Sequence, residues 1–172
     1  NASYYTKQVR YDARKSFVPV SLIADTPYLM VAHPSVAAAS VKDFIALAKA
    51  QPGKINVGSA GNGSGSHLIG ELFKLKAGID FNHIPYKGSG QAILDLIGGT
   101  VSMNFDVMPP VIEHIRQGRL RALAMAGGKR SELLPDVPTM QEAGVKGYVY
   151  EQWVALLAPA GQLELKLGPA PP

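Results

Sequence analysis

The stretch Ile55-Asn56-Val57-Gly58-Ser59-Ala60-Gly61-Asn62-Gly63-Ser64-Gly65-Ser66-His67-Leu68-Ile69 decides the fold. It opens as a short apolar strand over Ile55–Gly58 and passes through small and polar residues. It then closes into a helix whose inward face is Leu68, Ile69, Leu72, Phe73 and the aliphatic stem of Lys76. A strand-to-helix joint of this kind is the repeating unit of α/β proteins. Its glycines at 61, 63 and 65 admit positive φ and let the backbone approach a ligand, while Ser59, Ser64 and Ser66 add hydroxyls.

The same alternation continues on both sides. Upstream, Val18–Ala24 and Tyr28–Ala32 read as strands broken by Asp25-Thr26-Pro27. A helix follows from an N-cap at Ser40 with Asp43 as its capping-box partner, and Val41, Phe44, Ile45 and Ala48 form its apolar stripe. Downstream come a strand at Phe81–Ile84, the turn Tyr86-Lys87-Gly88-Ser89-Gly90, and a helix at Ala92–Ile97 stopped by Gly98-Gly99. A strand at Val101–Asp106, a proline-opened helix at Pro109–Gln117 and a strand at Leu120–Met125 complete the regular part. Beyond Gly127-Gly128 the pattern loosens to a short helix from Thr139 and a last strand at Glu151–Leu157, in which Trp153 reads as core. Strands alternating with helices of this length imply an α/β fold, a mainly parallel sheet with helices on both faces.

Composition narrows the function classes. With 172 residues, 47% of them hydrophobic, the chain can bury a sizeable core. The absence of cysteine excludes disulfides, thiolate catalysis and sulfur-bound zinc. A net charge of +4 favours encounter with anions. Nucleic acid is not the expected partner, because the cations are scattered apart from Arg116–Arg121 and Lys129-Arg130, with no interleaved aromatics. No apolar run approaches the roughly 20 residues of a membrane helix, so no direct membrane insertion is expected. The opening Asn1-Ala2-Ser3-Tyr4 shows no signal peptide, which reads as a cytoplasmic protein or a mature or truncated form.

Three turns precede helices and so present free N–H groups and the positive end of a helix dipole: Ser59–His67, Tyr86–Gly90 and Asp106–Pro110. In open α/β sheets ligands bind at such strand ends. The expected ligand-binding set is Ser59, Ala60, Gly61, Asn62, Gly63, Ser64, Gly65, Ser66 and His67, with Tyr86, Lys87, Gly88, Ser89 and Asp106. Asp106 is the acid to receive an amine, a hydroxyl or a water, or else a helix cap. Lys87 is the cation to neutralise a carboxylate, or else a solvated side chain. The alternative to an anion-binding loop is a polar loop with Ser66 as helix N-cap. The spacing of a P-loop, a Rossmann turn and a nucleophile elbow all fail here. His33, His83 and His114 lie on separate elements without metal-ligand spacing, so no metal, no cofactor and no catalytic residue is expected. The competing reading is a small-molecule enzyme, an acyl transferase or hydrolase using Ser64 or Ser66 with His67; adjacent residues on a helix diverge by about 100°, which argues against that pair. A truncated paralogue acting as an interaction domain is a third reading.

Several linked segments resemble one family. Val18-Pro19-Val20-Ser21-Leu22-Ile23-Ala24, Pro52-Gly53-Lys54-Ile55-Asn56-Val57-Gly58-Ser59-Ala60-Gly61-Asn62-Gly63-Ser64, His83-Ile84-Pro85-Tyr86-Lys87-Gly88-Ser89, Leu134-Pro135-Asp136-Val137-Pro138-Thr139 and Ala158-Pro159-Ala160-Gly161 are similar to the Bug proteins, the TctC-like receptors of tripartite tricarboxylate transporters. The resemblance runs from about Phe17 to Gly161. It implies a periplasmic binding protein-like fold of two lobes that close on a small carboxylate and deliver it to a membrane permease. It implies a ligand-binding second lobe at about 25–125, with hinge strands and a first-lobe remnant in 1–24 and 126–161. The family's first βα unit and its last helices find no match, so the chain reads as the middle portion of a receptor, ending in a divergent tail over 162–172.

Overall fold

A computed structural model describes residues 10–161. The expected divergent tail, 162–172, lies outside the described residues.

The chain forms two compact units, and Thr26–Gln152 is the larger. It contains strands β2 (Tyr28–Ala32), β3 (Asn56–Ser59), β4 (Asn82–Pro85), β5 (Met103–Val107) and β6 (Arg121–Met125), with helices α1 (Val41–Ala50), α2 (Gly65–Ala77), α3 (Ser89–Ile97) and α4 (Ile112–Arg116). The other unit contains β1 (Phe17–Asp25) and β7 (Trp153–Pro159), paired antiparallel. Trp153 does not join a core there: it is 64% exposed, and Leu22, Ile23 and Leu156 are exposed as well.

In the larger unit the sheet order is β4-β3-β5-β2-β6. β3 runs parallel to both β4 and β5, while β2 runs antiparallel to β5 and β6. Four strands therefore point one way and β2 points back, so the sheet is mixed with a parallel majority. The segments β3–α2–β4, β4–α3–β5 and β5–α4–β6 are true crossovers. The segment β2–α1–β3 instead starts and ends at the same edge of the sheet. Alternation of strand and helix in the sequence does not distinguish these two paths.

Helices cover both faces. Met30, Ile69, Phe73 and Phe105 share one apolar layer, and Leu29, Val31, Ile93 and Leu96 share the other. This follows from the two-residue period of β2, whose consecutive side chains enter opposite layers. α1 starts as expected: Ser40 Oγ accepts from Asp43 N at 3.2 Å, and Val41, Phe44 and Ala48 are buried. In α2 the inward positions are Ser66, Ile69, Gly70 and Phe73, with Leu72 half-buried and Lys76 exposed. Gly70 faces inward beside Phe81 and Phe105.

The compact unit extends past the expected lobe end near residue 125. Met140, Val145 and Tyr148 are buried in the layer that contains Phe73, and Tyr148 Oη donates to Ile69 O at 3.0 Å. The helix expected from Thr139 is a single capped turn. Thr139 N donates to Glu142 Oε2 at 2.7 Å and Glu142 N to Thr139 Oγ1 at 3.2 Å, but Gly144 follows at φ +97°, a conformation that halts propagation. Met125 N and Met140 N hold this segment against the end of β6, through Pro138 O at 2.7 Å and Met125 O at 2.8 Å.

Candidate functional site

Because β3, β4 and β5 are parallel, their carboxyl ends lie on one edge of the sheet. The antiparallel β2 brings its first residue, Tyr28, to that edge opposite Val107, and β6 brings Met125 opposite Leu29. All three turns expected from the sequence thus converge on this edge.

The β3–α2 loop is ordered by its own side chains. Ala60 N donates to Ser66 Oγ at 2.9 Å, Gly61 N to Ser59 Oγ at 3.1 Å, and Gly63 N to His67 Nδ1 at 3.0 Å. Ser64 N reaches Gly61 O at 3.1 Å. Gly61 and Gly63 sit at φ +126° and +73°, which their lack of a Cβ permits. At Gly61 a Cβ would lie 2.8 Å from Tyr86 O, and Tyr86 N donates to Ser59 O at 3.0 Å, so this loop and the β4–α3 turn are closely joined. The helix cap is Ser64, whose Oγ accepts from His67 N at 3.3 Å, and not Ser66. Ser66 Oγ is occupied inside the loop.

These bonds narrow the expected anion-binding set. Four loop amides, at Ala60, Gly61, Gly63 and Ser64, are turned inward. Gly65 and Ser66, in the first turn of α2, have no N–H acceptor among the described residues. α3 offers a second such end: no side chain caps Gly88, and the amides of Ser89, Gly90 and Gln91 have no acceptor among the described residues. Asn62 and Lys87 are exposed at the rim. α2 packs on β3 and β5 from one face and α3 on the same strands from the other, so the two helix starts flank the end of β5.

Asp106 occupies that end. It is 4% exposed, and its Oδ1 accepts from Val107 N at 2.9 Å. Burial pushes its carboxyl up to about 6, against a smaller lowering by that N–H. No cation reaches it among the described residues. Tyr86 Oη donates to Asp95 Oδ2 at 2.7 Å, and burial first, then Asp95, push its hydroxyl up to about 12. Tyr86 thus points along α3 rather than offering its hydroxyl to the edge.

Three residues of this edge carried no motif in the sequence. A Cβ at Gly65 would come within 2.5 Å of Gln152 Oε1 and 2.8 Å of Tyr28 Oη, so both side chains lie over the start of α2. Tyr150 meets the Tyr28 ring edge-on at 5.8 Å. Burial raises the Tyr28 hydroxyl to about 12, with the Asp106 charge adding to the shift. Only the antiparallel entry of β2 and the return of residues 148–152 bring them here.

The proposed Ser–His pair does not form. His67 Nδ1 accepts from Gly63 N–H, its Nε2 stands 4.0 Å from Glu71 Oε1, and Ser64 and Ser66 contact each other at 3.1 Å. At this edge a different serine, Ser59, meets a histidine, with His83 Nε2 at 2.6 Å. Ser59 is buried, and the His83 ring stacks on His67 at 4.1 Å; burial, helped by His67, lowers the His83 pKa. No group of three His, Asp or Glu residues suited to a metal occurs among the described residues. A cavity of about 370 Å³ lies at the opposite edge, beside Pro34, Leu120 and Arg121, remote from these loops.

An open α/β sheet with helices on both faces defines a lobe of the periplasmic binding protein type. The model of the family described as "Tripartite tricarboxylate transporter family receptor" matches residues 1–166, and the chain belongs to that family. The match is wider than the span from Phe17 to Gly161 that the motifs marked. Protein BugT of Bordetella pertussis is 44% identical over 153 residues, covering 89% of this chain and 47% of that protein. Among solved structures, Rhodopseudomonas palustris MatC with bound malate aligns at TM-score 0.86 and 29% identity, over 95% of this chain and 55% of that one. R. palustris Rpa4515 with adipate aligns at TM-score 0.83 and 36% identity, over 90% and 52%. The chain spans about half the length of the curated relatives it matches.

Proposed function

We propose that this chain is the ligand-holding part of a periplasmic solute receptor that captures a small carboxylate and delivers it to the permease of a tripartite transporter, with no bond made or broken. The observation that carries the reading is the pair of helix starts flanking β5, where the amides of Gly65, Ser66, Ser89 and Gly90 have no acceptor among the described residues. Such amides, with the helix dipole behind them, bind anions without a reactive side chain. The adipate and malate held by the two R. palustris relatives support a carboxylate as the ligand. The Thr26–Gln152 unit is the ligand-binding lobe in this reading. Capture then works as population shift toward a form closed on the ligand by a second jaw. The engagement of His67 with Gly63 argues against the acyl-transfer reading, since it removes the base from Ser64 and Ser66.

Replacing Gly65 tests the reading. Proline is tolerated at a first helical position but removes the N–H, whereas alanine keeps it. Amide chemical shifts followed through a succinate titration are expected to move at Ser66 and Gly90 in the parent. Affinity should fall about tenfold further in Gly65→Pro than in Gly65→Ala, the order expected for one charge-assisted hydrogen bond. Equal affinities, or shifts confined to the Pro34–Arg121 edge, would overturn it.

A further inference from the structure

The acid at the centre of this edge has no role in gripping a carboxylate. Asp106 would repel an anion, and it is held where repulsion is strong, 4% exposed and with no counter-ion among the described residues. Its only hydrogen bond uses Oδ1 and the next residue's N–H, so Oδ2 accepts nothing among the described residues. Oδ2 is not among the fully buried atoms left without a partner, so it keeps an opening through which a donor can reach it. A protein with no use for that charge gains by replacing it with Asn, Ser or an apolar residue.

The topology says where the missing donor comes from. Asp106 lies two residues beyond Asn104, the β5 partner of Gly58, and therefore next to the β3–α2 loop. On its other side is β2, with Leu29 directly opposite and Tyr28 one step nearer the edge. Tyr28 Oη lies over the start of α2, close enough for the Asp106 charge to act on it. Donor amides and this acceptor thus share one edge: Asp106, opposite Leu29, faces the layer of α3, while Tyr28 lies in the layer of α2 and presents a hydroxyl able to give or take a hydrogen bond.

We infer that the preferred ligand is a carboxylate that also carries a hydroxyl or protonated amine, and that Asp106, assisted by Tyr28, receives that donor. The inference rests on the carboxylate-receptor reading and adds the chemical class. Plain dicarboxylates satisfy the amides of α2 and α3 but leave Oδ2 of Asp106 unpaired. A hydroxy or amino acid satisfies both. Recognition by a buried acceptor discriminates strongly against an analogue lacking the donor, because the unmatched group remains desolvated.

Succinate, malate and aspartate share a four-carbon diacid skeleton and differ in one substituent, which makes them the probes. Titrations are followed on the amide resonances of the whole chain, so that millimolar binding is measured. In the parent, malate or aspartate should bind at least about tenfold more tightly than succinate, as expected for a hydrogen bond to a charged group. In Asp106→Asn the preference should shrink to about twofold, with succinate affinity unchanged or improved. Tyr28→Phe should reduce the preference partially. A merely structural Asp106 would change all three affinities together and leave their ratio alone. Equal parental affinities, or a preference that survives Asp106→Asn, overturn the inference while leaving the carboxylate reading intact. Absence of binding by all three acids overturns both.

Discussion

Replacing Asp106 with Asn removes a charge from the interior while preserving shape, and Oδ1 can still accept from Val107 N. The folded-state pKa stands near 6 against an ordinary 3.8, so the folded protein holds this proton where the unfolded chain has released it. Stability contributed by this group is therefore present below about pH 4 and lost as pH rises through about 6. A shift of roughly two units corresponds to about 3 kcal/mol. The full amount applies here because the side chain is 4% exposed. Asp106→Asn should match the parent near pH 4 and exceed it by up to about 3 kcal/mol at pH 8. Urea unfolding at stepped pH reads this as a midpoint raised by roughly 1.5–2 M, for an m-value of about 1.5–2 kcal/mol/M. The other titratable groups are common to both proteins, so the difference between the two curves isolates Asp106. A difference curve flat from pH 4 to 8, or a variant less stable at pH 8, would refute the placement of an uncompensated carboxylate at the end of β5.

Other outcomes follow from packing and caps. Gly58→Ala drives a methyl into Asn104 Oδ1, a buried atom with no hydrogen-bond partner among the described residues. It should destabilise by about 1–3 kcal/mol in thermal melts, and adding Asn104→Ala should recover much of that loss. Tyr148→Phe removes the buried hydroxyl on Ile69 O and should cost about 1–3 kcal/mol, read by the same melts. Ser64→Ala deletes the α2 cap and should cost about 1 kcal/mol, with faster hydrogen exchange at the His67 amide; an unchanged exchange rate would contradict the cap assignment.

The family adds a frame for these tests without supplying the ligand. Backbone amides recognise any carboxylate, so discrimination among acids falls to side chains around them. On the proposed reading those side chains, in the Thr26–Gln152 unit, are Asp106, Tyr28 and Gln152 at the inner edge, with Lys87 and Asn62 exposed at the rim.

Much of this was written locally in the chain. The Ser40 cap, the proline and glycine stops and the apolar stripes of α1 and α2 depend on contacts within a few residues, so the order of strands and helices could be read directly. The same holds for the convergence of three turns, two of them glycine-rich, since each turn follows a strand and opens a helix. Tertiary structure decided the rest. The reversal of β2 depends on whether a connection returns to the same edge, which periodicity does not encode. Tyr28 and Gln152 come to the α2 start from opposite ends of the unit, 124 residues apart in sequence numbering, with no local mark of their role. Which amides stay open was likewise beyond the sequence: Ser59, Ser66 and His67 could each face a ligand or the loop itself. Folding turned them inward, because a buried amide must find an acceptor and these were the nearest ones.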